Sequence, residues 1–109
     1  MSEGLSRAIK LIRELQRLHP GMTLSGALIL LIAARHEGCT QGFLIRQSAA
    51  TKSMVSRYVQ AVSDGYWFEA GHGLLFTRER LENRSEREVF LTPRGRALVA
   101  MIEEIMQRP

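Results

Sequence analysis

Cysteine is almost missing from this chain: Cys39 stands alone among 109 residues. That excludes an internal disulfide framework, and with no CxxC pair or Cys/His cluster there is no zinc spacing either. A single thiol without a resolving partner reads as a small buried hydrophobe more readily than as a redox sensor, and it fits a reducing cytoplasm. Aromatic residues make up only 6% of a sequence that is 45% hydrophobic, so any core must be mostly aliphatic. Long apolar runs are missing too. The longest, Ala27 to Ala34, is far too short to span a bilayer. The N-terminus is charged and amphipathic, so no signal peptide is expected. Catalytic machinery is also lacking: there is no nucleophile–base pair, carboxylate pair or phosphate-cradling GxxxxGK loop. His36 and His72 have no second ligand at useful spacing. No cofactor or metal is expected.

Lysine is scarce as well. The cations are 13 Arg against 2 Lys, with a net charge of +4 and a sequence pI near 10.0. Arginine makes forked contacts to phosphate and guanine, where lysine offers a point charge. Placement matters more than the sum. From Gly38 to Ser63 there is no Asp or Glu, while Arg46, Lys52 and Arg57 are positive.

That acid-free run reads as two helices and a tight turn. Gln41 to Gln47 form the first, Ser48-Ala49-Ala50 the turn, and Thr51 to about Asp64 the second, with Thr51 as its cap. Val55, Tyr58, Val59 and Val62 recur at helical spacing and predict one buried stripe. Lys52, Ser53, Ser56, Arg57 and Gln60 occupy the opposite face. A helix that is apolar behind, cationic in front and preceded by a short helix has the form of a DNA-reading helix-turn-helix. A plain solvated face is the bland alternative, but such faces usually mix both charge signs.

The remaining elements flank this unit. Leu5, Ala8, Ile9, Ile12, Leu15 and Leu18 predict an amphipathic first helix, stopped by His19-Pro20-Gly21; its stripe serves either its own domain or a dimer seam. A second helix, capped by Thr23 or Ser25 and apolar nearly all round, should form the core's centre and end at Glu37-Gly38. Cys39-Thr40 reads as a very short strand. Tyr66-Trp67-Phe68 should pack the exit of the reading helix against the core. Leu74 to Leu81 and Arg87 to Leu91 alternate in polarity and predict an antiparallel hairpin tipped by Asn83 and Arg84. Four arginines (Arg78, Arg80, Arg84, Arg87) face four glutamates (Glu79, Glu82, Glu86, Glu88) across it, which suits cross-strand ion pairs. Arg84 at the tip has the reach to enter a minor groove. Thr92 caps a final helix with Pro93 at its first position and an apolar stripe of Leu98, Met101, Ile102, Ile105 and Met106. Arg94 and Arg96 sit in its first turn, which suggests either an anion nearby, such as a phosphate, or plain solvation without function.

The expected fold is therefore α+β but mostly α: a winged helix-turn-helix with a two-stranded β wing and flanking N- and C-terminal helices. It occupies one domain over 1–109, with an N-terminal helix in 1–19, a DNA-binding core in 22–92 and a C-terminal helix in 93–109. The wording resembles the MarR family of bacterial transcription regulators. MTLSGALILLIA, TKSMVSRYVQAVSDGYW and ENRSEREVFLTPRGRAL carry the likeness, which covers about residues 22 to 105. The step LTPRG, Leu91 to Gly95, is its most specific part. The resemblance implies a homodimer with the recognition helix in the major groove and the wing beside the minor groove of double-stranded DNA. On that pattern Lys52, Ser53, Ser56 and Arg57 would touch bases or phosphates, and Arg84 would be the wing arginine. Asn83 departs from the pattern, since the family usually carries Asp at or near that place. The chain is also shorter than typical members, so a small-molecule inducer is only weakly supported.

The candidate DNA-contacting set is Thr40, Thr51, Lys52, Ser53, Ser56, Arg57, Gln60 and Arg84. The expected function is a cytoplasmic, nucleoid-associated, sequence-specific transcription regulator, acting as a dimeric repressor. The alternatives are a winged-helix protein interaction module, or a non-specific architectural DNA-binding protein of a mobile element such as a phage or plasmid.

Overall fold

The computed structural model describes residues 3–83 and 86–107. The elements run α1 (Glu3–Leu18), α2 (Leu24–Arg35), α3 (Gln41–Ser48), α4 (Lys52–Val62), β1 (Leu75–Glu79), β2 (Arg87–Leu91) and α5 (Pro93–Gln107). The expected winged helix-turn-helix order is present. Threonine starts four of the helices, for one reason: each hydroxyl accepts a backbone N–H that the helix itself cannot satisfy. Thr23 accepts from Gly26 at 3.0 Å, Thr40 from Phe43 at 3.1 Å, Thr51 from Met54 at 3.2 Å and Thr92 from Gly95 at 3.0 Å. Thr92 also donates its hydroxyl to the Gly73 carbonyl, which ties the start of α5 to the approach of β1.

α2 is the centre of the core, as its all-round apolar sequence predicts. Its Ile29, Leu30 and Ala33 are buried with Leu44 of α3, Val55, Val59 and Val62 of α4, Leu75 of β1, Val89 and Leu91 of β2, and Leu98 of α5. Full burial of side chains this size stabilises by roughly 1.5–3 kcal/mol each. Gly38 ends the α2 turn at φ 89°, a conformation that a side chain would strain.

β1 and β2 pair antiparallel, with Leu75 opposite Leu91 and Glu79 opposite Arg87. The short strand at Cys39-Thr40 adds a partial third rung. The Val89 N–H donates to the Cys39 carbonyl at 2.8 Å, and the Gly38 N–H donates to the Val89 carbonyl at 2.7 Å. Thr40 bridges Glu88 in the antiparallel sense. The base of the wing is thereby fastened to the entrance of the helix-turn-helix.

Two expectations need correction. The apolar stripe of α1 does not lie on a single surface. Leu15 is buried and Leu11 and Leu18 pack on the core, yet Leu5, Ile9 and Ile12 remain 68%, 50% and 43% exposed. At 100° per residue the two sets sit about 120° apart; α1 packs on α5, and the second set stays largely exposed among the described residues. The anion near Arg96 is also internal. Glu37 accepts from Arg96 Nη2 at 2.6 Å and from the Leu91 N–H at 3.0 Å, joining the end of α2 to β2 and α5. Arg96 therefore serves a carboxylate of its own chain rather than a phosphate.

Candidate nucleic-acid interface

The helix-turn-helix is built by a backbone device that its small turn residues allow. Ala49 takes the left-handed conformation at φ 57°, ending α3 while its N–H reaches the Ile45 carbonyl. Ser48, the last residue of α3, donates its hydroxyl to Leu44 at 2.6 Å and accepts the Ala50 N–H at 3.3 Å. α4 then starts on Thr51 and stops at Val62, two positions short of the expected Asp64. Its exit is drawn away by other bonds. Ser63 is extended and donates its hydroxyl to the Val59 carbonyl at 2.7 Å. Asp64 accepts the N–H groups of Gly71 and Gly73 at 2.9 and 2.8 Å, which close the following loop and hold its carboxyl below the usual range.

Behind α4, Val55, Val59, Ala61 and Val62 are buried, and Tyr58 packs against the core. Trp67 completes this side, stacked on His19 with ring centroids 4.7 Å apart and edge-on to Tyr58. Trp67 and Phe68 thus pack the helix exit, as expected, whereas Tyr66 is 67% exposed. Cys39 also packs beside the core, where burial pushes its thiol pKa up and away from reactive thiolate character.

In front, Thr51, Lys52, Ser53, Ser56, Arg57 and Gln60 are all exposed. Five of them share the outer face of α4 at helical spacing, with the Thr51 hydroxyl at its start, 3.3 Å from that of Ser53. Among the described residues no carboxylate pairs with Lys52 or Arg57. The Arg57 guanidinium lies 5.9 Å from the centroid of the Tyr58 ring, a contact that steadies it without consuming its donors. Thr40 stands apart from this face. It caps α3 and bridges β2, and its hydroxyl oxygen accepts the Phe43 N–H. Arg84 lies outside the described residues, as does its place at the wing tip.

The wing differs in kind. Arg78 pairs with Glu88 across the strands at 3.3 Å and sits 4.4 Å over the Phe90 ring. Arg80 binds Glu86 at 2.8 Å and Glu82 at 3.1 Å. Arg87 instead donates from Nε and Nη2 to the Thr77 hydroxyl, at 3.1 and 2.9 Å. Between α4 and the wing runs an open cleft of 690 Å³ with Ser56, Gln60, Tyr66, Phe76, Thr77 and Arg87 on its walls. Tyr66, Thr77 and Arg87 were not readable as part of this surface, because its walls come from segments distant in sequence. Among the described residues no His/Cys/Asp/Glu group could hold a metal, and no helix is long and apolar enough to cross a membrane.

No protein-family sequence model matches the chain, and no curated protein sequence does. Solved structures do resemble it. The crystal structure of MarR superposes with a TM-score of 0.66 at 23% identity, covering 88% of this chain and 64% of MarR. A point mutant of S. aureus MepR bound to an oligodeoxyribonucleotide gives 0.71 at 19%, covering 93% and 68%. A MarR transcriptional regulator from Methanosarcina mazei Go1 gives 0.64 at 22%, covering 96% and 76%. This chain spans less than two thirds of the MarR chain. In architecture it is a winged helix-turn-helix of the MarR type.

Proposed function

We propose that this chain is a sequence-specific DNA-binding transcription regulator, working as a dimeric repressor on DNA in the cytoplasm. α4 enters the major groove, and the β1–β2 wing lies beside the minor groove. The observation that carries the reading is the front of α4. Lys52, Ser53, Ser56, Arg57 and Gln60 project together from a helix whose back is fully buried, with no carboxylate from Gly38 to Ser63 to repel a phosphate backbone. A DNA-bound MepR structure of the same architecture supports it. The uncovered set Leu5, Ile9 and Ile12 on α1, with Met101 and Met106 exposed on α5, supports a dimer built on the terminal helices.

Selection from random duplex DNA at near-physiological salt tests this. The expected product is a palindrome with half-sites about one helical turn apart, roughly 34 Å. Retention without sequence enrichment would reduce the role to non-specific binding, and no retention even at low salt would reject DNA binding. The second reading is a winged helix that binds a protein, and the internally paired wing favours it. A salt titration separates the two: roughly eight phosphate contacts per dimer give a log–log slope of about −7.

A further inference from the structure

A second concave surface lies around the corner from the front of α4, and the proposed base-reading set does not include most of it. It is an open notch of 330 Å³ between α3 and the outer end of the wing strands. Arg46, Lys52, Arg80 and Arg87 line it, against the single carboxylate of Glu86, with Thr40 and Gly42 on the α3 side. Arg80 contributes little free charge because Glu82 and Glu86 already hold it. The other cations differ. Arg87 gives Nε and Nη2 to Thr77, and among the described residues Nη1 has no hydrogen-bond partner. Arg46 is exposed, and among the described residues no carboxylate pairs with it or with Lys52. The Arg46 guanidinium lies over Gly42, with Nη1 3.6 Å from where a β-carbon would stand.

We propose that this notch is a backbone-phosphate site, in which Arg46, Lys52 and Arg87 clamp one phosphate of the duplex that α4 reads. The inference rests on the DNA-binding reading above. Its geometry follows from Lys52, which opens α4 and also lines the notch. A helix lying in the major groove has a sugar–phosphate strand on each side. The strand beside the start of α4 would meet the gap between α3 and the outer end of the wing strands. Arginine at such a place supplies affinity and register without reading sequence. Thr40 and the bridge to Glu88 fix the gap's width, since they hold α3 against β2.

The test measures duplex binding against salt for the wild type, Arg46→Gln, Arg46→Lys and Arg57→Ala, with the selected duplex and a scrambled one. Loosening the clamp in Arg46→Gln should make the log–log slope shallower, by at most ~1.8 per dimer where the phosphate is released in both copies, with equal loss on both duplexes. Arg46→Lys should restore the slope. Arg57→Ala should instead narrow the difference between the duplexes. A duplex carrying one neutral methylphosphonate per half-site should weaken the wild type at one position and weaken Arg46→Gln less there. Unchanged slope and affinity in Arg46→Gln, beside a wild type that binds, would overturn the notch alone. A wild type that holds neither duplex would overturn the DNA reading and the notch with it.

Discussion

The front of α4 and the wing are both rich in surface cations, yet they have opposite electrostatic economies. On α4, Lys52 and Arg57 stand among Ser53, Ser56 and Gln60 with no described carboxylate paired to them. On the hairpin, Arg78 and Arg80 are held by Glu88, Glu86 and Glu82, while Arg87 gives only Nε and Nη2 to the Thr77 hydroxyl and meets no described carboxylate. The first arrangement keeps donors available for an external anion. The second spends them on the protein's own strands, and exposed pairs of that kind contribute only about 0–1 kcal/mol. Composition does not distinguish the regions; the segregation of acids does.

Substitutions can break this contrast, beginning with the support beneath α4. Leu44 is wholly buried under the helix-turn-helix, so Leu44→Ala should cost roughly 2–5 kcal/mol of stability in a denaturant melt. A cost below 1 kcal/mol would show that the reading helix is not supported as described. Arg57→Ala should leave the melt unchanged within about 0.5 kcal/mol. It should weaken the selected duplex by roughly 1–3 kcal/mol and relax one base pair. Uniform loss on every sequence would make Arg57 a phosphate contact instead.

Smaller effects sharpen the comparison. Thr51→Ala removes the cap of α4 and should cost about 0.5–2 kcal/mol, visible as a lower melting midpoint. Arg78→Ala on the wing should change stability by no more than about 1 kcal/mol and leave duplex affinity unaltered, because its guanidinium is committed to Glu88 and Phe90. A clear loss of binding there would erase the distinction between the two regions.

The smallest signal is in acid. Asp64, at the exit of α4, has its pKa lowered from 3.8 chiefly by the N–H groups of Gly71 and Gly73. A depressed folded pKa means that its stabilisation is present above pH 3.8 and is lost as pH falls through the folded value. Asp64→Asn should flatten the stability–pH curve below about pH 4 and leave the curve near neutrality unchanged in shape. An identical acid limb in both proteins would show that the loop bonds do not favour the charged form.

Much of the fold was legible from local chemistry. Threonine before α2, α4 and α5, Gly38 after α2, Pro93 at the first position of α5 and the alternation in LLFTRERL and REVFL each act within a few residues, where sequence and conformation are coupled directly. The front and back of α4 were legible for the same reason, since a period of 3.6 residues separates Val55, Val59 and Val62 from Lys52, Ser56 and Arg57. Charge commitment was not. Arg96 looked available to an external anion until the fold placed Glu37 beside it, and Arg46 was only one more cation until Arg87 and Lys52 closed a notch around it. The Leu5–Leu18 pattern predicted an apolar helix but not how much of it would be covered. Sequence by itself determined which residues form helices, turns and strands, because those preferences are set by neighbours along the chain. Tertiary structure alone decided which charges are spent and which are free, because ion pairing and burial depend on residues brought together from far apart.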